Sequence, residues 1–110
     1  MNENLKQYPA RAGHPGSIIM EEIEARGISQ KVFASSLDMP YTMLNEILHS
    51  KRPVSCEMAL LVEVTLGISA EMLIEMQSIY NLQTAREDDS FKKRLSVVKS
   101  QWAFAIANAQ

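Results

Sequence analysis

The sequence predicts an all-α domain of five short helices followed by a sixth, C-terminal helix. Apolar residues recur at helical spacing along most of the 110 residues, and Ser29, Ser55 and Ser69 stand where they can cap the start of a helix. Strand signals are nearly absent, since no alternating run of β-branched and aromatic residues lies between turn pairs. With 46% hydrophobic and 22% charged residues, the composition is that of a globular domain and excludes a wholly disordered chain.

The first two helices are predicted from their apolar faces and from the residues that end them. One helix follows His14-Pro15-Gly16 and ends at Gly27, because a glycine suits the left-handed backbone of a helix stop. A second helix follows Ser29 and reaches Leu37, where Asp38-Met39-Pro40 interrupts it. The side chains predicted to face inward are Ile18, Ile19 and Ile23 in the first helix and Phe33, Ala34 and Leu37 in the second.

Three more helices complete the predicted domain. Their limits are about Tyr41 to His49 for the third, Ser55 to Gly67 for the fourth, and Ser69 toward Arg86 for the fifth. The third helix ends at Ser50-Lys51-Arg52-Pro53. The fourth is predicted to bury a stripe that contains Met58, Leu61 and Val62.

The sixth helix is predicted after the acidic segment Glu87-Asp88-Asp89. Its apolar residues follow one another at helical steps and form a one-sided stripe: Phe91, Leu95, Val98, Trp102 and Ile106. An apolar stripe of this length needs a cover. The alternatives are the chain's own five-helix domain, a second copy in a dimer, and a partner protein.

Residues 29–53 combine two short helices and a tight turn, which is the helix-turn-helix plan. At about 100° per residue, two opposite sides of the third helix are formed by Tyr41, Leu44, Ile47 and Leu48, and by Thr42, Asn45, Glu46 and His49. Threonine, asparagine and glutamate are side chains that read base edges in the major groove of DNA. We therefore predict that this face reads DNA. The alternatives are a helix-turn-helix used only for protein contacts, and a Glu46 that merely pairs with Lys51 or Arg52.

Basic and polar groups beside that face suit phosphate. Gln30 and Lys31 begin the second helix, where free backbone N–H groups attract anions, and Lys51 and Arg52 follow the third. Between residues 26 and 55 there are four basic and two acidic side chains, so a monomer should bind DNA weakly and dimers on paired half-sites are expected. The net charge of -2 and the pI of about 5.6 argue against a protein that coats nucleic acid by bulk charge.

The sequence argues against a metal site, an enzyme and a membrane protein. Cys56 is the single cysteine, and no Cys/His pair has the spacing of zinc ligands. Without a glycine-rich phosphate loop, a Ser/His/Asp arrangement or paired acids, we expect neither catalysis nor a cofactor. No apolar run approaches the roughly 18 residues that span a bilayer, and the N-terminus has no signal-peptide pattern. A cytoplasmic location is expected.

The motif HPG at 14–16, Ser29-Gln30, and the segment LNEILHSKRP at 44–53 resemble the HigA-type antitoxins of the Xre/Cro-like helix-turn-helix group. The resemblance covers roughly residues 14–86 and implies a five-helix, lambda-repressor-like DNA-binding domain. An N-terminal arm, 1–13, and a C-terminal helical extension, 87–110, lie outside it. The sequence departs from the family at Asp38, which replaces the usual turn glycine, and at Pro40, which replaces the usual Ser or Thr cap of the third helix.

The resemblance implies a repressor that binds its own promoter as a homodimer and also masks a small RNA-cleaving, HigB-like toxin. It implies base contacts from Tyr41, Thr42, Asn45 and Glu46, and phosphate contacts from Gln30, Lys51 and Arg52. Lys31, which follows Gln30 at the start of the second helix, is expected to contact phosphate as well. The toxin is then a candidate cover for the C-terminal stripe, formed by Phe91, Leu95, Val98 and Trp102. The alternative function is a solitary Xre-family regulator without a toxin, whose C-terminal helix serves only for dimerisation.

Overall fold

Six α-helices and no strand make up residues 13–109, the part of the chain that the computed structural model describes. In chain order they are α1 Pro15–Ala25, α2 Gln30–Ser36, α3 Tyr41–Leu48, α4 Cys56–Leu66, α5 Ala70–Glu87 and α6 Asp89–Ala107. The prediction of an all-α fold with five helices and a C-terminal helix is confirmed. The predicted N-terminal arm, residues 1–13, lies outside the described residues except for Gly13.

A first compact unit, which ends at Tyr80, contains the apolar core. The inward residues predicted for α2 are buried, as are Ile19 and Ile23 of α1. In α4 the prediction is wrong for Leu61, which is 39% exposed. The residues that α4 buries are Met58, Ala59, Val62 and Leu66, so the small Ala59 faces the core and Leu61 lies at the edge of the buried face.

The helices α1, α2 and α3 end in the same backbone motif. The residue that follows each C-cap has a positive φ, which is 70° at Gly27, 54° at Asp38 and 65° at Ser50. After α2, Asp38 N–H donates to the Ser35 carbonyl at 3.1 Å and Met39 N–H to the Ala34 carbonyl at 3.0 Å. This is the Schellman pattern, which satisfies the last carbonyls of a helix. The left-handed backbone predicted at Gly27 is confirmed, and Asp38 and Ser50 are two further residues that adopt it.

The start of α1 lies directly against the end of α3. His14 is the N-cap of α1, and its Nδ1 accepts a hydrogen bond from Gly16 N–H at 2.9 Å. The His14 ring is buried and meets the Tyr80 ring edge to face, with 5.0 Å between the centroids. A Cβ at Gly16 would collide with the carbonyl oxygen of Ile47, so only glycine fits there. The HPG motif therefore holds α1 against α3 through main-chain contact.

Two polar side chains tie the other helices of this unit together. Gln77 of α5 is buried, and its Oε1 accepts a hydrogen bond from Val54 N–H at 2.8 Å, in the segment between α3 and α4. Glu63 of α4 accepts a hydrogen bond from Ala70 N–H at 3.1 Å, at the start of α5. These bonds supply partners for backbone groups that no helix ladder satisfies.

A second compact unit begins at Asn81 and contains the end of α5 and the whole of α6. Asp88 caps α6, since its Oδ1 accepts hydrogen bonds from Phe91 N–H at 2.8 Å and from Ser90 Oγ at 3.0 Å. These bonds, to the Phe91 backbone first, lower the pKa of the Asp88 carboxyl. No residue of α6 is buried. The predicted domain limits, 14–86 and 87–110, stay a prediction.

Candidate nucleic-acid interface

The unit predicted to read DNA consists of α2, a turn through Asp38, and α3. Leu44, Ile47 and Leu48 hold α3 in the core, as predicted from their spacing. Pro40 is the N-cap of α3 and makes no side-chain cap, which agrees with its departure from the family pattern. Its φ of -60° and ψ of 139° nevertheless suit the residue before a helix. The structure thus has both predicted helices with one face of α3 turned away from the core.

Three of the four side chains predicted to contact bases lie on the face of α3 opposite the core. Thr42 is exposed, while Asn45 and Glu46 are partly buried. Tyr41 is 45% exposed at the first residue of the helix, although simple helical spacing places it on the inner side. All four residues therefore lie within eight residues of one short helix, with Tyr41 near its N-terminal end. Their roles toward bases stay a prediction.

Asn45 and Gln30 form a hydrogen bond that joins α3 to the start of α2. Asn45 Nδ2 donates to Gln30 Oε1 at 3.0 Å. An asparagine reads adenine with one amide N–H and its carbonyl oxygen together. Because Gln30 takes one of the two N–H groups of Asn45, the other N–H and Oδ1 remain for a base. Sequence reasoning assigned Gln30 to phosphate; its contact in the structure positions Asn45.

Glu46 and Arg52 form an ion pair at the end of α3. Arg52 Nε and Nη2 both donate to Glu46 Oε1, at 3.0 and 2.8 Å, and both side chains are roughly half exposed. This is the pairing that sequence analysis gave as the alternative for Glu46. In the free protein the pair neutralises one cation of the predicted phosphate-binding set.

Lys31 and Lys51 are the two exposed cations that flank the same face. Neither forms an ion pair with any residue of the range 13–109. Lys51 is held by its backbone, since its N–H donates to the Glu46 carbonyl at 2.8 Å after the left-handed Ser50. His49 Nδ1 donates to the Asn45 carbonyl at 2.8 Å, which keeps its ring folded onto the helix end. The predicted phosphate contacts therefore rest first on these two lysines.

Arg26, the fourth basic residue of this region, is engaged within the protein. Its Nε donates to Glu22 Oε2 at 2.8 Å and its Nη2 donates to the carbonyl of Leu66 at 2.8 Å. The second bond ties the end of α1 to the end of α4. The charge count from the sequence included Arg26, whereas its contacts give it a structural role.

No family model matches the chain. A relative, virulence-associated protein I of Dichelobacter nodosus, is 32% identical over 76 residues, which cover 68% of this chain and 70% of the relative. A solved Pseudomonas aeruginosa protein in complex with its 18-base-pair operator DNA is 32% identical, with a TM-score of 0.63 over 68% of this chain and 82% of that one. The structure of Pseudomonas aeruginosa antitoxin HigA with the higBA promoter is 29% identical, with a TM-score of 0.68 over 77% of this chain and 91% of that one.

The chain belongs to the HigA-type antitoxins of the Xre/Cro-like helix-turn-helix family. In this HigA-type chain, the HPG motif has two structural roles. His14 caps α1, and Gly16 allows the close approach of α1 to α3. The departure at Asp38 is accommodated by the left-handed backbone of the turn. Both features help to position α3.

Sequence reasoning missed two residues that shape this HigA-type site. Ser50 gives the left-handed step that places Lys51, and Gln77 satisfies Val54 N–H behind the loop that carries Arg52. A serine that follows a helix end three residues before a proline is a weak signal for the first. No local signal indicates the second, because the partners are 23 residues apart.

Proposed function

We propose that this chain represses its own promoter by sequence-specific DNA binding and is the antitoxin of a HigBA-type pair. The observation that carries the proposal is the exposed edge of α3, where Gln30 holds the amide of Asn45 beside Thr42. The solved relatives bound to operator or promoter DNA support it. The mechanism is binding and involves no catalysis: α3 enters the major groove, and Lys31 and Lys51 contact the phosphates on either side.

The repressor acts as a homodimer that places two α3 helices in successive major grooves, about 34 Å apart. The small number of cations at the site supports a dimer, because each chain neutralises few phosphates. Its antitoxin activity consists of binding a HigB-like toxin and covering the toxin's active site. DNA binding and toxin binding use the same folded chain, so one preparation serves for both tests.

Fluorescence anisotropy against the DNA just upstream of the gene, with scrambled DNA as the control, tests the repressor. We expect tight binding that prefers the upstream site and weakens as salt rises. Thr42→Ala should relax base preference by about 1–3 kcal/mol, whereas Thr84→Ala, at an exposed site on α5, should not. Equal and feeble binding to both DNAs would overturn the repressor.

The antitoxin activity is tested by co-purification with a small basic protein that is encoded beside this gene. A stable complex that abolishes RNA cleavage by that product supports the proposal. Operator binding without any such complex would instead leave a solitary regulator of the Xre family, which is the second candidate function. A variant of this chain that no longer binds the toxin but still binds DNA would show that the two activities depend on different surfaces.

A further inference from the structure

An apolar groove of about 500 Å³ lies between α4 and α5, and none of its lining residues is among those predicted to contact DNA. Its lining includes Ala59 and Leu60 of α4, and Ala70 and Ile74 of α5. Ala59 and Ala70 are buried, and their small size leaves the space. Leu60 is 55% exposed, and Val64, one turn further along α4, is 85% exposed. Side chains this apolar and this exposed need a cover.

The edge of this groove is acidic. Glu71 and Glu75 stand one turn apart on α5, line the groove and are exposed. Neither forms an ion pair with another residue of the described range, and Glu71 only accepts a hydrogen bond from Ser69 Oγ at 3.4 Å. Residues 13–80 carry nine acidic side chains and four basic ones. The groove therefore favours an apolar ligand with cationic flanks.

The helix α6 has the complementary pattern. Its stripe of Phe91, Leu95, Val98 and Trp102 is 42–66% exposed. At about 100° per residue, Lys92 and Lys99 follow one edge of the stripe and Arg94 follows the other. The pair of Lys92 Nζ with Asp89 at 3.9 Å is exposed and contributes little. An amphipathic helix with an apolar face and cationic edges is the kind of ligand that an apolar groove with an acidic edge binds.

We propose that α6 of one copy of the chain lies in the α4–α5 groove of a second copy, with Lys92 and Lys99 beside Glu71 and Glu75. The inference rests on the homodimer of the proposed function and specifies how that dimer forms. Each copy offers one groove and one helix, so a two-fold axis makes both contacts at once and closes the assembly. The exchange covers the apolar stripe and the groove together.

Cys56 allows a direct test, since it lines the groove and is the single cysteine of the chain. One chain keeps Cys56, and a second, differently tagged chain carries Cys56→Ser and Val98→Cys. After mixing, exchange of subunits and mild oxidation, we expect a disulfide between the two chains, because Cys56 lines the groove and residue 98 lies in the stripe proposed to fill it. Ser100→Cys in place of Val98→Cys is the matched control, since residue 100 lies on the opposite side of α6, and it should give no such product.

The other products would overturn the proposal. A disulfide between two Val98→Cys chains as the main product means that α6 pairs with α6. An internal disulfide in a single chain that carries Cys56 and Val98→Cys means that α6 occupies the groove of its own chain. Absence of any disulfide, in a protein that remains dimeric by sedimentation and helical by circular dichroism, means that another surface forms the dimer.

Charge exchange gives a second, independent measurement. The double substitution Glu71→Lys and Glu75→Lys should raise the dimer dissociation constant, and mixing that variant with a Lys92→Glu, Lys99→Glu chain should restore dimers. No effect on dimerisation, or no restoration, would contradict the proposal. Operator binding by a dimer that fails both tests overturns this inference alone. A protein that stays monomeric and does not bind the operator overturns the proposed function as well.

Discussion

Gly16 occupies a position where a single methyl group decides whether α1 can reach α3. A Cβ there would meet the Ile47 carbonyl, a backbone group that cannot turn aside. We expect Gly16→Ala to lower the free energy of unfolding by about 3 kcal/mol, at the upper end of overpacking costs. Thermal and denaturant unfolding measure it. Gly13→Ala is the control, because its nearest neighbour is Ser17 Oγ at 3.9 Å. Equal stability of the two variants would contradict the close approach.

Asp38 and Ser50 have a positive φ although both side chains carry a Cβ. A left-handed conformation costs such residues about 1–2 kcal/mol. We expect Asp38→Gly to raise the free energy of unfolding by about 1 kcal/mol, since a glycine avoids the strain but gains freedom in the unfolded chain. Chemical denaturation of purified protein measures the change. Asp38→Ala keeps the strain while removing the carboxylate, so a similar gain from alanine would show that charge, rather than backbone conformation, is responsible.

The sequence could reveal the strained turn at Asp38 because the resemblance marks it as a glycine position. It could not reveal the same conformation at Ser50, since nothing local distinguishes that serine from one in an ordinary loop. The Schellman bonds from Ser50 N–H and Lys51 N–H form only once α3 ends at Leu48. Where a helix of eight residues stops depends on how its buried face meets the core, which is a tertiary property.

At the scale of the helix pair, Gln30 and Asn45 should act as one unit toward DNA. Asn45→Ala removes the predicted adenine contact and should cost about 1–3 kcal/mol of discrimination at one base position. Gln30→Ala should lose part of the same discrimination, because the amide of Asn45 is then free to turn. A double-mutant cycle on operator and single-base variants measures the coupling. Additive effects of Gln30→Ala and Asn45→Ala would instead assign Gln30 to phosphate alone.

The Glu46–Arg52 pair gives opposite predictions for its two interpretations. If Glu46 only neutralises Arg52, Glu46→Gln releases a cation, so affinity should rise for all DNA sequences and the salt slope should steepen by about 1. Anisotropy titrations at several salt concentrations measure both quantities. We expect this outcome from the bonds at 2.8 and 3.0 Å. A loss confined to one cytosine position, with the slope unchanged, would show that Glu46 reads a base.

The buried residues of α2 and α3 were predictable from their spacing, whereas contacts between helices were not. The buried side of α3 follows from the spacing of Leu44, Ile47 and Leu48, because helical periodicity is a local property. The bonds that Arg26 makes with Leu66 and Gln77 makes with Val54 span 40 and 23 residues. Such pairs depend on how the helices cross, and one sequence contains no periodicity that reports it. The exposure of Leu61 was missed for the same reason.

At the scale of the molecule, His14 makes folding stability depend on pH. Burial lowers the pKa of His14 below 6.5, and a hydrogen bond with the Arg52 backbone opposes this in part. As the pH falls through 6.5 the unfolded chain takes up a proton first, so the free energy of unfolding falls until the lower pKa of the folded state is reached. Stability from this source is complete above 6.5.

Thermal unfolding across about pH 5 to 8 tests this dependence. The His14→Asn variant keeps a capping side chain but cannot titrate, so we expect a flatter profile on the acid side of neutrality. His49→Gln is the control, since His49 is exposed and is the only other histidine. A stability profile that flattens for His49→Gln and stays steep for His14→Asn would contradict this prediction, because it would assign the pH dependence to His49.

Charge is distributed unevenly over the molecule, and composition alone hid this. The net charge of -2 combines an acidic first unit with a basic α6 that carries Lys92, Lys93, Arg94 and Lys99.

No helix of the described residues is long and apolar enough to cross a membrane. Apolar spacing predicted the helix α6 correctly. What covers its stripe depends on a second surface, and the groove between α4 and α5 exists only in the folded chain.

The contact between Gly16 and Ile47 determines how precisely α3 is placed against α1. Side chains can change rotamer, and a helix that packs on side chains can shift when they do. Peptide groups in regular helices have no rotamers, so a helix seated on the main chain of another keeps its place as the temperature changes. Within each chain, the position of α3 relative to α1 is therefore fixed by this main-chain contact. The exposed face of α3 should keep the same orientation relative to α1 at low and at high temperature.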